Sequence, residues 1–340
     1  DPSSLLKGAD VAMYVAKRNR DEFAIYDAAH DNYNPDRLGL LRDLRIAIHK
    51  QQIGVAFQPK LDIRSGNIIS VEALARWDHA DKGPVPPYEF IPTLEQTGLI
   101  KTFTLHILEQ AIQHCGICQQ HGFDLRMAVN LSMHNLRDTN LAPQIAEILK
   151  RHAIPASHLT LEITESAIMN DPEHSLGILT ALDAMGVQLA IDDFGTGYSS
   201  LSYLKRLPVK QLKIDRSFVS DMVEDHDNAM IVHSTIDLAH NLGLSTVAEG
   251  VESADVLDAL QSMGCDVAQG YFISRPMSVE QLLTFLHEGR WPVPRSAGKD
   301  PARAPGPGSG RICRTTHTSR ATARSGNHIS HASRPITPPS

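Results

Sequence analysis

Short apolar runs alternate with longer stretches of helical periodicity along most of this chain. Runs rich in apolar and β-branched residues predict eight strands, at residues 55–63, 68–77, 126–132, 159–164, 187–194, 211–215, 245–250 and 266–272. Apolar positions at helical spacing predict intervening helices at residues 103–121, 142–152, 173–185, 229–241 and 254–263. Strands that alternate with helices are typical of βαβ units and a parallel sheet. We therefore expect a closed (β/α)8 barrel, with a doubly wound open sheet as the alternative.

The first two predicted strands depart from this alternation. Only residues 64–67, Arg-Ser-Gly-Asn, separate them. So short a connection permits antiparallel pairing alone, because a parallel crossover needs a dozen or more residues. We therefore expect a modified (β/α)8 barrel (TIM barrel) with an antiparallel first strand.

The segments outside residues 38–291 differ from this pattern. Residues 1–28 predict a helix and a short strand, too little for a domain, and residue 1 is Asp rather than Met, so we expect a longer natural protein. Residues 29–37 are polar and contain Pro35, which predicts a linker before a helix that begins at Leu38. Residues 292–340 are rich in Pro, Gly, Ser, Thr, Arg and His, which predicts a disordered tail.

Composition and charge narrow the function classes. The chain of 340 residues is 42% apolar and 21% charged, as ordinary globular proteins are. Four cysteines exclude a disulfide-stapled scaffold. No apolar run approaches the ~18 residues of a membrane-spanning helix, so we expect a cytoplasmic domain, although absent upstream regions could anchor the parent protein. The formal net charge of −7 argues against a nucleic-acid partner.

The charge is unevenly distributed. Residues 292–340 carry eight Lys and Arg residues and a single acid, Asp300. A basic segment of this kind can contact nucleic acid or anionic lipid, but a solvated tail is the interpretation that we favour.

Acids and amides interrupt the apolar strands. A lone buried carboxylate costs several kcal/mol, and the carboxyl ends of barrel strands meet on one face. Carboxylate and amide oxygens favour Mg²⁺ or Mn²⁺, and more acids than one ion needs indicate the two-metal arrangement of phosphodiester hydrolysis. The interrupting residues are Glu72, Asn130, Glu162, Glu165, Asp192, Asp193, Lys213, Asp215, Glu249, Glu252 and Gln269.

One loop combines two acids with glycines. Residues 192–200 read DDFGTGYSS, and Gly195 and Gly197 permit backbone conformations that other residues resist. Because the loop follows a predicted strand and begins with an acid pair, we expect a site loop that can open and close.

Together these motifs resemble one family. The region from Leu38 to Trp291 resembles the EAL-domain family, which hydrolyses the bacterial messenger cyclic di-GMP to linear pGpG. Eight motifs follow the family's order, namely FQPK at 57–60, EAL at 72–74, NLS at 130–132, EITE at 162–165, DDFGTG at 192–197, KID at 213–215, AEGVE from Ala248 to Glu252, and QGY at 269–271.

The resemblance implies a modified TIM barrel and specific roles. Two Mg²⁺ or Mn²⁺ ions would be bound by Glu72, Asn130, Glu162, Asp192, Asp193 and Glu249. The substrate side would include Gln58, Arg76, which matches a phosphate contact, and Leu74. The catalytic set would be Lys213 and Glu249, either of which could accept or orient the proton of the attacking water, Glu165, which steadies the loop, and Gln269 near the water. Whether Asp215 and Glu252 are ligands or lie behind the ligands stays open.

The resemblance also bears on partners. Residues 1–28 resemble the last helix and strand of a GGDEF (diguanylate cyclase) domain, without its signature loop. Upstream GGDEF and sensor domains in the parent protein, a homodimer through the EAL domain and cyclic di-GMP itself are therefore the expected partners. The alternative function is a cyclic di-GMP receptor or scaffold that binds without turnover.

A second candidate centre contains cysteine. Cys115 and Cys118 are flanked by His114 and His121, a spacing that can indicate zinc or redox chemistry. Because the segment predicts a helix with apolar neighbours and no second Cys pair follows, structural thiols are the favoured interpretation.

Overall fold

The computed structural model describes residues 5, 9, 12, 13, 23, 25, 35–50, 52–196 and 201–294. The chain divides at Pro305 into two units, and all described residues belong to the first. The disordered tail predicted for residues 292–340 and most of the predicted GGDEF-like fragment and linker therefore lie outside the described residues. The helix expected from Leu38 begins at Pro35, three residues inside the predicted linker.

The described strands form one sheet that closes on itself. The strands are β1 Ile53–Asp62, β2 Asn67–His79, β3 Gly83–Val85, β4 Arg126–Leu131, β5 Leu159–Thr164, β6 Gln188–Phe194, β7 Gln211–Ile214, β8 Ser245–Ala248 and β9 Val267–Gln269. Their order is β1-β9-β8-β7-β6-β5-β4-β2-β3, and β1 also pairs with β2, so that eight strands close into a barrel and β3 extends the edge of β2. The prediction of a modified (β/α)8 barrel is confirmed.

Strand β1 runs antiparallel to both of its neighbours. It places Gln58 opposite Glu72 of β2 and Lys60 opposite Gln269 of β9. The tight turn into β2 has Gly66 at φ 67°, a left-handed conformation that glycine adopts without strain. The remaining neighbours in the barrel are parallel, as the intervening helices require.

Eleven helices surround the described part of the barrel. The five predicted helices are confirmed, with boundaries that differ by at most three residues. The sequence pattern missed strand β3 and the helices at Pro87–Thr97, Glu165–Met169, Leu201–Leu204, Arg216–Val219 and Val279–Glu288. The first of these helices carries Pro87 at its start and Pro92 inside it, which mask a helical pattern. The helices are α1 Pro35–His49, α2 Pro87–Thr97, α3 Ile100–Gln120, α4 Leu141–Arg151, α5 Glu165–Met169, α6 Pro172–Ala184, α7 Leu201–Leu204, α8 Arg216–Val219, α9 His226–Asn241, α10 Ala254–Ser262 and α11 Val279–Glu288.

The apolar core lies between the strands and the helices, and the barrel interior is polar. Along β1, the fully buried Phe57 and Leu61 alternate with Gln58 and Lys60, which face the interior. Apolar burial therefore holds the helices to the outside of the barrel, and the polar interior is left for chemistry.

The cysteine motif belongs to this core. Cys115 and Cys118 of α3 are buried, and burial raises their pKa values to about 12 and about 11. Thiols with such pKa values are protonated at neutral pH and are poor metal ligands or nucleophiles, which agrees with the structural interpretation.

None of the helices in the described part of the chain combines the length and apolar character that a bilayer crossing requires.

Candidate active site

The polar residues predicted from the strands meet in the barrel interior. Parallel strands of a barrel end on the same face, so side chains near their carboxyl ends converge. The contributing residues are Glu72 of β2, Asn130 of β4, Glu162 of β5, Asp192 and Asp193 of β6, Lys213 of β7, Glu249 immediately after β8, and Gln269 of β9.

The buried ammonium group of Lys213 lies among four carboxylates. Its Nζ is 2.6 Å from Oε1 of Glu249 and 2.7 Å from Oε2 of Glu162. The same Nζ is 2.8 Å from Oδ1 of Asp192 and 3.9 Å from Oε2 of Glu72. Burial opposes its charge, but the four carboxylates raise the pKa of Lys213 well above its ordinary value. Lys213 therefore holds its proton in this arrangement.

A second buried cation, Lys60 of β1, enters the same cluster. Lys60 Nζ donates to Oε1 of Glu162, so Glu162 accepts from both lysines at once. Sequence reasoning missed this role. Its signal was present, because Lys60 interrupts an otherwise apolar strand two residues after Gln58 and so shares the inward face with it.

Glu72 is held by two side-chain amides. Its oxygens accept from Nδ2 of Asn130 at 2.7 Å and from Nε2 of Gln269 at 2.7 Å. Gln269 Nε2 also donates to Oε1 of Gln58 at 3.1 Å, so hydrogen bonds between side-chain amides link β9 with β1 where the barrel closes. Burial disfavours the carboxylate, but the charges of Lys213 and Lys60, together with these amides, lower the pKa of Glu72 to about 2.

Asp192 and Asp193 both contribute carboxyl groups to the cluster although they are consecutive in sequence. In a regular strand their side chains would point to opposite faces. Here the β6–β7 register shifts after Ile191, and Asp193 adopts φ 53°, a left-handed conformation that is uncommon outside glycine. This irregularity aims both carboxyl groups at one place, as bulges beside active sites do.

Three of these carboxylates form a cation-competent group. One oxygen each from Asp192, Asp193 and Glu249 lies within 4.8 Å of the others. Burial and the neighbouring Asp192 raise the pKa of Asp193 to about 6. Burial, against the opposing charge of Lys213, raises the pKa of Glu249 to about 7. Carboxyls this close repel one another when ionised, so a divalent cation fits the donor set.

Other predicted residues lie around this group without joining it. Arg76 is half-buried on β2 and donates to the carbonyl oxygen of Ala75 at 2.8 Å, and Leu74 is partly buried nearby on the same strand. Glu252 is exposed. The structure therefore brings neither Arg76 nor Glu252 into hydrogen bonding with the carboxylate cluster within the described residues.

Asp215 and Glu165 flank the acidic loop. Oδ1 of Asp215 accepts from the backbone nitrogen of Ser217 at 2.9 Å at the start of α8, and its side chain also hydrogen-bonds with Asp193. Glu165 begins α5, is buried, and lines a small cavity with Phe194 of β6. Of the predicted loop, residues 197–200 lie outside the described part of the chain.

Comparison with known proteins agrees with this geometry. The fold and site define a barrel protein with an acidic, cation-competent centre at the carboxyl ends of its strands. Residues 41–276 match the family model described as EAL domain. The chain belongs to the EAL domain family, which confirms the resemblance drawn from the motifs.

Two curated relatives are similar over most of the chain. The bifunctional diguanylate cyclase/cyclic di-GMP phosphodiesterase MucR of Pseudomonas aeruginosa is 42% identical over 281 residues, which cover 82% of this chain and 41% of the relative. The signaling protein YkoW of Bacillus subtilis is 37% identical over 289 residues, covering 85% and 36%. This chain thus spans about two fifths of the length of these relatives.

Solved structures agree. A MucR phosphodiesterase in complex with c-di-GMP matches with a TM-score of 0.69 and 44% identity, covering 72% of this chain and 99% of that chain. The EAL domain of Mycobacterium smegmatis DcpA matches with a TM-score of 0.59 and 34% identity, covering 70% and 97%. The GGDEF-like interpretation of residues 1–28 stays a prediction.

Proposed function

We propose that this chain hydrolyses one phosphodiester bond of cyclic di-GMP to give linear pGpG, with two Mg²⁺ or Mn²⁺ ions. The observation that carries the proposal is the convergence of five carboxylates from four strands. Those of Asp192, Asp193 and Glu249 place oxygens within 4.8 Å of one another. Membership of the EAL family and the phosphodiesterase names of similar proteins support the substrate.

The donor set fits hard divalent cations. We assign Glu72, Asn130, Glu162, Asp192, Asp193 and Glu249 to them, because their oxygens are of the type that Mg²⁺ and Mn²⁺ prefer. When bound, the ions would lower the pKa of a coordinated water and stabilise negative charge on the phosphate.

The two candidates for the proton acceptor differ in protonation. Lys213 keeps its proton, so its ammonium group orients the carboxylates and the attacking water rather than deprotonating the water. In the metal-free protein burial raises the pKa of Glu249 to about 7, so this carboxylate, unlike the ammonium group, can accept a proton near neutral pH. We assign the proton to Glu249 on this difference.

The substrate side is assigned to residues of β1, β2 and β9. We assign Arg76 to a phosphate oxygen, which its guanidinium can meet with two parallel hydrogen bonds. Gln58, Gln269 and Leu74 complete the substrate side, with Gln269 also near the attacking water. Glu165 supports the loop that begins with the acid pair.

The remaining expectations about partners and location belong to the same proposal. We infer a homodimer formed through the EAL domain, upstream GGDEF and sensor domains in the parent protein, no nucleic-acid partner, and a cytoplasmic location.

The test is turnover of cyclic di-GMP by the 340-residue chain with Mg²⁺, with Mn²⁺ and with EDTA. We expect metal-dependent pGpG. Asp193→Asn should lower turnover at least ~100-fold, because it removes a charged oxygen from the cation group. The matched control is Asp183→Asn on the outside of the barrel, which should retain turnover. Tight binding of cyclic di-GMP without turnover would replace the enzyme with the receptor alternative.

A further inference from the structure

A second polar cavity lies at the opposite end of the barrel from the candidate active site. Its volume is about 90 Å³, and it lies where β4, β7 and β8 begin. Arg126, Gln211 and Ser245, the first residues of these three strands, line it. Neither the proposed reaction nor the family comparison uses this cavity.

The wall of this cavity is positively charged. Lys60, Arg126 and Lys210 line it, and no carboxylate is among the described lining residues. Lys60 is paired with Glu162, and Lys210 lies 3.7 Å from Asp183. The guanidinium of the half-buried Arg126 forms no ion pair and no hydrogen bond in the described part of the chain. Its guanidinium charge is therefore uncompensated by this protein region.

Two hydroxyl groups of the same wall also lack protein partners. Ser70 and Thr160 are buried, at 8% and 7% exposure, and neither hydroxyl forms a hydrogen bond within the described residues. Both hydroxyl oxygens are accessible from the cavity rather than sealed within the protein, so the contents of the cavity can supply their hydrogen-bond partners. A guanidinium with five N–H donors requires acceptors from the same contents.

We propose that this cavity is a binding site for one small oxyanion of the inorganic phosphate class. A volume of 90 Å³ corresponds to about three water molecules, or one tetrahedral oxyanion of similar size. Water can satisfy the hydroxyls but leaves the Arg126 charge without a counter-ion in a partly enclosed space, whereas an oxyanion satisfies both.

The site is connected to the acidic cluster through Lys60. This residue lines the cavity and also donates to Glu162, which in turn accepts from Lys213. On the proposed function, a bound anion and the cations of the active site attract each other through the barrel interior. Each therefore tightens the other's binding, since coupling between two sites is reciprocal.

The test measures phosphate binding by calorimetry to the full chain in EDTA at constant ionic strength, so that it is independent of turnover. We expect saturable 1:1 binding that Arg126→Gln weakens at least tenfold. Thr160→Val, which keeps the shape and removes the hydroxyl, should weaken it several-fold. Arg76→Gln, which removes a cation at the other end of the barrel, should leave it unchanged. An anomalous-scattering peak in crystals soaked in selenate should lie beside Arg126.

The opposite results are equally defined. Equal affinity in wild type and in both Arg126→Gln and Thr160→Val would overturn the proposal, as would a cavity that holds water alone in the selenate crystals. Loss of binding in Arg76→Gln alone would place the phosphate at the active site instead, and binding of GMP with the affinity of phosphate would exclude a site for a free oxyanion. Turnover failing while phosphate still binds would refute the proposed function and leave the anion site standing.

Discussion

Replacing Lys213 by methionine tests the electrostatic organisation of the centre. Lys213→Met keeps the length of the side chain and removes the one ammonium that contacts Glu249, Glu162 and Asp192 at 2.6–2.8 Å. The carboxylates then lie together in the barrel interior with Lys60 as the remaining buried cation in the described cluster. We expect this variant to be less stable than the wild type and inactive.

The magnitude follows from the burial of the pairs. Removing one partner of a buried ion pair costs about 3–5 kcal/mol, because an uncompensated charge is left behind. For a domain of this size that loss corresponds to a fall in Tm of about 10 °C. The penalty is largest where Glu249 is ionised, above its pKa of about 7, and shrinks as the pH falls and the carboxyl is protonated.

Divalent metal supplies the second half of the assay. A cation among the carboxylates replaces the lost positive charge, so Mn²⁺ should raise the Tm of Lys213→Met by more than it raises that of the wild type. The assay is thermal unfolding of both proteins at pH 5.5 and pH 8, in EDTA and in Mn²⁺. Lys210→Met is the matched control, since its exposed pair with Asp183 contributes about 1 kcal/mol at most.

Two outcomes would refute the reasoning. A Lys213→Met protein as stable as the wild type in EDTA at pH 8 would show that the carboxylates do not need the ammonium. A Tm gain with Mn²⁺ no larger than that of the wild type would show that the same carboxylates do not hold the metal.

Three further predictions follow from individual groups. The metal-free pKa values of Asp193 and Glu249 are raised to about 6 and about 7, so protons compete with the metal for these carboxylates. The affinity for Mn²⁺ should therefore rise with pH between 5 and 8, and binding should release protons. A calorimetric titration that does not depend on pH would contradict this. Gly270→Ala should lower the free energy of unfolding by about 3 kcal/mol or more in urea titrations, because the added Cβ would lie 2.1 Å from the carbonyl oxygen of Val251. The control Gly177→Ala changes an open helical position and should raise the free energy of unfolding by about 0.5–1 kcal/mol. Arg76→Gln should lower kcat/KM for cyclic di-GMP about 100-fold with unchanged Tm, and an unaltered kcat/KM would remove Arg76 from the substrate side.

Much of the fold was predictable because local patterns determined it. The four residues of the 64–67 connection forced an antiparallel pair, and period-two and helical spacing located the barrel strands and five helices. Two of the elements that escaped prediction, β3 and α2, carry weak local signals. Strand β3 has three residues, and α2 carries prolines, so their formation depends on packing against β2 rather than on their own sequence.

The site was predictable as a set of residues but not as a charge arrangement. The motifs identified the carboxylates, and strand ends brought most of them together. Lys60 escaped notice because its partner Glu162 lies 102 residues away in sequence, and only closure of the barrel brings them together. The left-handed backbone at Asp193 was equally invisible, since it is imposed by the register shift between β6 and β7.

The pairing of β1 with β9, the last strand of the barrel, has a consequence for synthesis of the protein. Residues 60–62 pair with residues 267–269, and Phe57 pairs with Met277, so β1 can complete its pairing only after β9 has been synthesised. A nascent chain emerges from the ribosome at about 5–20 residues per second, which leaves one edge of β1 unpaired for roughly ten to forty seconds. The Gln58–Gln269 contact forms only at closure, so on the proposed function an incompletely translated domain lacks a complete substrate side.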